Sequence, residues 1–373
     1  MSFSPEQVLS ALAHVVEPTS GHDIVRLDLI KGLRIDGCRV QFTILLSEPG
    51  TPFANQVAEA CRRALHDALG ADVQPIIEVD AEMIGLGDDL QIGGTGQKRP
   101  QQAGPQATNI LAVASGKGGV GKSTVASNLA VALAQQGYAV GLVDTDIYGP
   151  SVPTMFGLEG ERPRINDQRK IIPLERHGVK LLSIGFMVDP NRAVIWRGPM
   201  VSNAVRQFLN DTAWGRLDYL VLDLPPGTGD IQLTIVQTLA LTGAVIVSTP
   251  QNVALADARK GVAMFNNVNV PVLGIVENMA YFTPPDLPDR KYYLFGEGGA
   301  RRLAGELAVP FLGEVPIEQA VREGGDFGEP IVVSEPESLS AQAFAHVATE
   351  AVRQVTLRNA EQPPTQKIEI LYR

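Results

Sequence analysis

Residues 109–124 read NILAVASGKGGVGKST. An apolar run, Asn109 to Ala114, passes through a glycine-rich turn into a helical run, Ser123 to Gln136. Gly116 to Ser123 satisfy the pattern G-x-x-x-x-G-K-S in full, in the strand–loop–helix setting that this pattern requires. The chemistry accounts for the residue types. Gly116, Gly118, Gly119 and Gly121, with Val120 between them, let successive backbone N–H groups turn inward as an anion-binding nest. The following helix aims its positive end at the same point. Lys122 is placed to neutralise β- and γ-phosphate charge and the Ser123 hydroxyl to ligate Mg²⁺. ATP with Mg²⁺ is the expected ligand pair.

Outward from this loop, apolar strands alternate with helices. Strands are expected at 109–114, 139–144, 179–184, 218–223, 244–248, 272–277 and 311–315. Helices are expected at 123–136, 200–209, 231–241, 255–266, 299–307 and 338–355. Unbroken apolar strands separated by helices predict an α/β domain, a mainly parallel sheet covered by helices on both faces. Its extent is 108–356, with a tail at 357–373. Residues 84–107, IGLGDDLQIGGTGQKRPQQAGPQA, carry almost no large apolar side chains and read as a flexible linker. Before it, residues 1–83 form a small α+β domain. It has helices at 4–15 and 53–69, paired strands at 23–34 and 38–46, and a last strand at 73–79. Residues 161–170 (ERPRINDQRK) read as a solvated hairpin.

Composition narrows the function. The chain has 373 residues, and its 31 Lys+Arg against 41 Asp+Glu give a net charge of −10. That balance disfavours nucleic acid, whose non-specific binding depends on cations at phosphates, and an anionic membrane surface. No apolar run approaches the roughly 20 residues of a membrane-spanning helix. The first twenty residues show no secretion-signal pattern. Two cysteines, Cys38 and Cys61, rule out a disulfide framework and favour a reducing, cytoplasmic setting. The five histidines are scattered and form no zinc pattern.

Two acidic segments complete a nucleotide site. Asp144-Thr145-Asp146 ends one strand, and Asp223-Leu224-Pro225-Pro226-Gly227 ends another, where open α/β sheets bind their ligands. Asp223 fits a Walker B carboxylate that holds Mg²⁺ through water. The Gly227 N–H is placed to sense the γ-phosphate, and Asp146 to orient the attacking water.

The sequence closely resembles the Mrp/ApbC family of iron–sulfur cluster carrier ATPases, within the MinD/ParA-like group. The resemblance rests on SGKGGVGKST, on 144–153 (DTDIYGPSVP), 196–200 (WRGPM), 217–230 (LDYLVLDLPPGTGD), 248–251 (STPQ), 277–279 (ENM) and 295–299 (FGEGG). Residues 1–83 resemble the SufT/PaaD-type domain, with Glu17-Pro18 and 23–30 echoing its acidic loop. The resemblance implies an ATP-sandwich homodimer, slow ATP hydrolysis, and delivery of a [4Fe–4S] cluster to client apoproteins in concert with assembly proteins. Lys117, the early lysine of a deviant Walker A loop, is implied to reach the partner's nucleotide as an arginine finger does. Gly116 to Thr124, with Thr124 as the last, are implied to bind the phosphates, and Asn278 to contact adenine. The alternative is a metal-free, nucleotide-switched adaptor or positioning ATPase of the MinD/ParA type.

One departure stands out. The family's C-x-x-C pair, whose thiolates hold the cluster across the dimer, is absent. The stretch after ENM reads AYFTPPDLPDRKYY, and no cysteine follows Cys61. Asp286 and Asp289 are hard donors, poorly suited to iron–sulfur ligation. Cys38 on an alternating strand and Cys61 on an apolar helix stripe read as small buried hydrophobes.

Overall fold

The computed structural model describes residues 3–16, 22–27, 29–46, 52–70, 72–81, 107–147, 149–187 and 198–361. The chain divides into two compact units, Met1–Arg99 and Pro100–Arg373.

The first unit contains α1 (Pro5–Leu12), β1 (Ile30–Asp36), β2 (Arg39–Leu46), α2 (Pro52–Leu69) and β3 (Gln74–Ala81). α1 opens with a capping box. The Ser4 hydroxyl accepts from the Gln7 N–H, and the Gln7 side chain accepts from the Ser4 N–H. β2 pairs antiparallel with β1 and parallel with β3. Alternation along β2 buries Val40, Phe42 and Ile44 in one core with Val8, Leu12, Leu65 and Cys61. The first strand is shorter than its hydropathy predicts. Asp23 accepts the Arg26 N–H on its carboxylate and the Leu27 N–H on its carbonyl, so residues 23–27 turn instead of extending. Cys38 lies in the two-residue β1–β2 turn, outside the alternating strand, and is half-buried; Cys61 is fully buried as read. Neither forms a disulfide.

In the second unit the strands are β4 (Ala107–Ala114), β5 (Val140–Asp144), β6 (Arg164–Ile165), β7 (Ile171–Ile172), β8 (Leu174–Arg176), β9 (Val179–Ser183), β10 (Leu217–Asp223), β11 (Gly243–Ser248), β12 (Val272–Glu277) and β13 (Phe311–Glu314). The helices are α3 (Lys122–Gln135), α4 (Val152–Met155), α5 (Gly198–Asn210), α6 (Asp230–Thr238), α7 (Asn252–Asn267), α8 (Gly299–Leu307), α9 (Gln319–Phe327), α10 (Ile331–Ser334) and α11 (Leu339–Glu361). One eight-stranded sheet has the order β13-β12-β11-β4-β10-β5-β9-β8. All its pairings are parallel except that of β8, which joins the edge antiparallel to β9. β6 and β7 form a separate antiparallel hairpin around the charged stretch 161–170.

α3 is buried almost all round, because the sheet covers one side and α10 and α11 the other. Two of its polar residues, the buried Asn128 and the exposed Gln135, pin α10. Asn128 accepts the Val332 N–H at 3.3 Å, and the Gln135 amide donates to the Val332 carbonyl at 2.8 Å. α9 and α10 fall where no helix is expected from the sequence. α11 runs past 355 to Glu361, so the first five residues read as tail are helical; 362–373 lie outside the described residues. So do 84–106 of the linker, whereas Ala107 already opens β4. No described helix is long and apolar enough to cross a membrane.

Candidate nucleotide-binding site

Parallel pairing sets the site. β4, β10 and β5 are adjacent, and their carboxyl ends deliver the glycine-rich loop, Asp223 and Asp144–Asp146 to one rim. Asp223 stands opposite Val113 on one side and Asp144 on the other.

The loop is shaped from beneath. A side chain at Gly116 would lie 2.2 Å from the Asp257 carbonyl of α7, so only glycine admits this packing. Gly121 caps α3 with φ of +80°, and a Cβ there would lie 2.2 Å from the Asn278 Nδ2. Asn278 is buried at the end of β12 and donates that amide to the Val120 carbonyl at 2.9 Å. The Ser115 hydroxyl donates to the Lys117 carbonyl at 2.9 Å. Gly118 and Gly119 lie exposed at the rim, and Lys117 is part-exposed beside them.

Lys122 is 6 % exposed, and its ammonium holds the centre. It donates to Asp223 Oδ1, lies 3.1 Å from Ser123 Oγ and 3.9 Å from Asp146 Oδ2. Asp223 is fully buried, and its second oxygen, Oδ2, accepts no hydrogen bond. Burial pushes the Asp223 carboxyl above its ordinary value, against the pull of Lys122 and Ser123. A buried carboxylate oxygen without a partner, next to a serine hydroxyl, suits a hard cation. Lys122 is the cation in place at this carboxylate.

Residues around these ions carry functions that sequence motifs did not reveal. Asp144 is fully buried and acts as a clamp. Its Oδ1 accepts the Asp146 N–H at 3.0 Å; its Oδ2 accepts the Val152 N–H at 3.2 Å and the Ser183 hydroxyl at 2.9 Å. Both ends of the loop carrying Asp146 are thereby fixed. Burial, then the charge of Asp223, raises the Asp144 carboxyl to about 7. Thr145 donates its hydroxyl and its N–H to the Asp223 carbonyl at 2.8 and 3.0 Å, joining the two acidic segments. The Gly227 N–H donates to the Ser115 carbonyl at 2.9 Å, so this donor is engaged on the glycine loop.

Gly116 to Thr124, Asp146, Asp223, Gly227 and Asn278 thus gather at one rim. Trp196, Arg197 and Tyr148 of the quoted motifs lie outside the described residues, as do Glu17, Pro18 and Asp28 of the N-terminal acidic loop. Among the described residues, no group of three or more His, Cys, Asp or Glu could hold a metal ion on its own. A Mg²⁺ held by Ser123 and Asp223 therefore needs phosphate oxygens and water to complete its shell.

A parallel sheet with this loop and these paired acidic segments defines a P-loop NTPase. Residues 106–352 match the family described as NUBPL iron-transfer P-loop NTPase, and residues 5–76 match an iron–sulfur cluster assembly protein family. The chain belongs to the NUBPL iron-transfer P-loop NTPase family. It is 48 % identical over 361 residues to an iron–sulfur cluster carrier protein of Synechocystis sp., covering 95 % of this chain and 99 % of the relative. A protein of that name from Deinococcus radiodurans is 42 % identical over 362 residues, covering 97 % and 98 %. Among solved structures, a nucleotide-binding protein from Archaeoglobus fulgidus in complex with ADP superposes with a TM-score of 0.56 at 43 % identity, covering 64 % of this chain and 93 % of its own. MinD of Pyrococcus horikoshii complexed with Mg-ADP shares the fold, with a TM-score of 0.51 at 24 % identity and coverage of 67 % and 98 %.

Proposed function

We propose that this chain is an ATP-hydrolysing homodimer that takes part in the transfer of iron–sulfur clusters to apoproteins. The observation that carries the nucleotide reading is the glycine loop closed over Lys122, itself paired with a buried Asp223 whose second oxygen is unpartnered. Gly116 to Thr124 cradle the phosphates. Ser123 and Asp223 would hold Mg²⁺, which would supply charge neutralisation at the phosphates. Phosphate would draw Lys122 away from Asp223, leaving that carboxylate able to serve the metal. Asp146 orients the attacking water, and Lys117 reaches the nucleotide of the second protomer. Gly227 exchanges Ser115 for the γ-phosphate, coupling loop position to hydrolysis state. Asn278 supports the loop through its amide nitrogen and offers its oxygen to the adenine edge.

Transfer of clusters is supported by the family and by relatives named as cluster carriers. The cargo does not fit this chain's own sulfur. Cys61 is fully buried and its thiol is pushed up to about 12, which removes it as a thiolate donor. Cys38 is the one remaining sulfhydryl, so a homodimer presents two, short of the four thiolates of a [4Fe–4S] cluster. The cluster therefore stays on sulfur donated by assembly proteins or clients, and the N-terminal unit, tethered by 84–107, contacts them. The chain works in a reducing, cytoplasmic compartment, with neither nucleic acid nor membrane as a ligand. The second reading, a metal-free nucleotide-switched adaptor, is favoured by the same shortage of thiols.

Two measurements test these assignments. Calorimetry with Mg·ATP should show binding, and hydrolysis should fall to background in Lys122→Ala; turnover at the wild-type rate would end the nucleotide reading. Anaerobic reconstitution with iron and sulfide should leave wild type and Cys38→Ser/Cys61→Ser equally colourless. A visible chromophore confined to wild type would restore cluster ligation to this chain.

A further inference from the structure

β12 ends in Glu277, a carboxylate that is 1 % exposed and that no step described above employs. One of its oxygens accepts the Ala300 N–H, and the carboxylate also accepts the Gly298 N–H, both at the start of α8. Gly298 caps α8 with φ of +61° and has no side chain to satisfy the helix's free N–H groups. The turn is thus a small anion nest, and the anion seated in it comes from a neighbouring strand.

This contact reaches the nucleotide site through the next two residues. Asn278 donates its amide to the Val120 carbonyl at 2.9 Å. Met279 has φ of +55°, a left-handed backbone that a residue with a side chain adopts at an energetic cost. Its end lies under the phosphate loop, where a Cβ at Gly121 would be 3.6 Å from Met279 Cε. A strained turn persists only where its surroundings over-determine it. The Asn278 N–H donates to the Ser248 carbonyl at 2.8 Å, the Val315 N–H to the Glu277 carbonyl at 2.8 Å, and the Ala280 N–H to the Val315 carbonyl at 2.9 Å. The Glu277 carboxylate adds a tie that leaves the sheet for α8. That helix is wedged in place, since a side chain at Gly299 would lie 2.4 Å from the Pro250 carbonyl and 2.8 Å from Leu255.

The position calls for a charge. A carboxylate accepts from both N–H groups and opposes the positive end of α8. An amide of the same shape brings an NH₂ group that neither N–H can meet. Burial raises the Glu277 carboxyl above its ordinary value, and Glu314 on β13 pushes the same way. The N–H groups of Ala300 and Gly298 and the guanidinium of Arg301 on α8 oppose them. Lys291 and Arg301 each lie 3.8 Å from Glu314 and temper its effect.

We propose that Glu277 is a positioning residue for nucleotide binding: its carboxylate, seated on the first N–H groups of α8, holds the Asn278–Met279 turn beneath the phosphate loop. It acts through Asn278 and is not itself a ligand of the nucleotide. The inference rests on the nucleotide reading above and adds the residue that fixes its support.

A double-mutant cycle in the full chain tests this, with Mg·ATP binding read by calorimetry. Glu277→Gln keeps the shape and should raise Kd about fivefold, the charge assistance lost at two hydrogen bonds. Asn278→Ala should raise it about tenfold. Because one residue works through the other, the double variant should stay near tenfold instead of reaching the roughly fiftyfold of independent sites. A role in stability alone would move the urea midpoint and leave Kd of the folded protein where it was. The ratio of the Glu277→Gln constant to the wild-type constant should shrink from pH 8 to pH 5, since a protonated Glu277 resembles the amide. Glu277→Asp keeps the charge, falls one methylene short, and should also raise Kd. Either Glu277 variant binding as wild type does would overturn the proposal. So would an additive double variant, a ratio flat with pH, or loss of folding in both Glu277 variants, which would make the residue a core group only. Failure of wild type itself to bind Mg·ATP would bring down the nucleotide reading and this inference with it, an outcome distinct from all of these.

Discussion

Lys122 illustrates how much one side chain can hold. Removing it strips a buried cation from Asp223 and from nearby Asp146. Leaving a buried charge without its partner typically costs about 3–5 kcal/mol. Lys122→Ala should therefore lower the urea midpoint as well as abolish hydrolysis. Lys122→Met/Asp223→Asn should recover most of the stability and none of the turnover. Asp144 makes the site sensitive to acid in an unusual sense. Between the ordinary carboxylate value near 4 and its native value of about 7, the folded protein keeps a proton that the unfolded chain has lost. Stability accordingly falls as pH rises through that window and levels off above it, and burial pushes Asp223 in the same direction. Urea midpoints at pH 5 and pH 8 should show the nucleotide-free protein to be stronger at pH 5, with a shallower slope in Asp144→Asn. Lys122, Ser123 and Asp223 were legible in the sequence because their spacing belongs to a motif. Ser183 was not, since only the register of β5 against β9 sets its hydroxyl on Asp144.

Elements repeat this contrast. The strands of the large sheet announce themselves as unbroken apolar runs, because a strand covered on both faces has no polar phase. α9 is only nine residues long, carries Arg322, Glu323 and Asp326 on an exposed surface and fully buries only Gly324, so no apolar run announces it. The start of β1 was misjudged for a different reason: hydropathy sees Ile24, Val25 and Leu27 but not the turn that Asp23 closes over them. Between loop and helix, packing makes a sharper prediction. Gly116→Ala drives a methyl group into the backbone of α7, and Asn278→Ala removes the amide that props Val120. Mg·ATP affinity should drop about tenfold in Asn278→Ala, the worth of one buried hydrogen bond. It should be undetectable in Gly116→Ala, and isothermal calorimetry of both variants checks this order.

At the scale of the whole molecule, each unit has its own core: one around Phe42 and Leu65, the other around Leu111, Leu129 and Phe344. Scanning calorimetry should resolve two transitions. Saturating Mg·ATP should raise only the one belonging to the larger unit, by about 2.7 kcal/mol at a hundred times the dissociation constant. Residues 84–107 were expected to be a linker because they carry almost no large apolar side chains, and the division into units falls within that stretch, at Arg99. What the small unit touches was not readable, because recognition surfaces leave no periodic trace. Its placement of both cysteines does have a consequence. An enzyme whose larger unit contains no sulfhydryl cannot be poisoned there by peroxide, nitric oxide or heavy-metal attack on thiols. The phosphate site therefore offers no thiol to the oxidants that dismantle iron–sulfur centres.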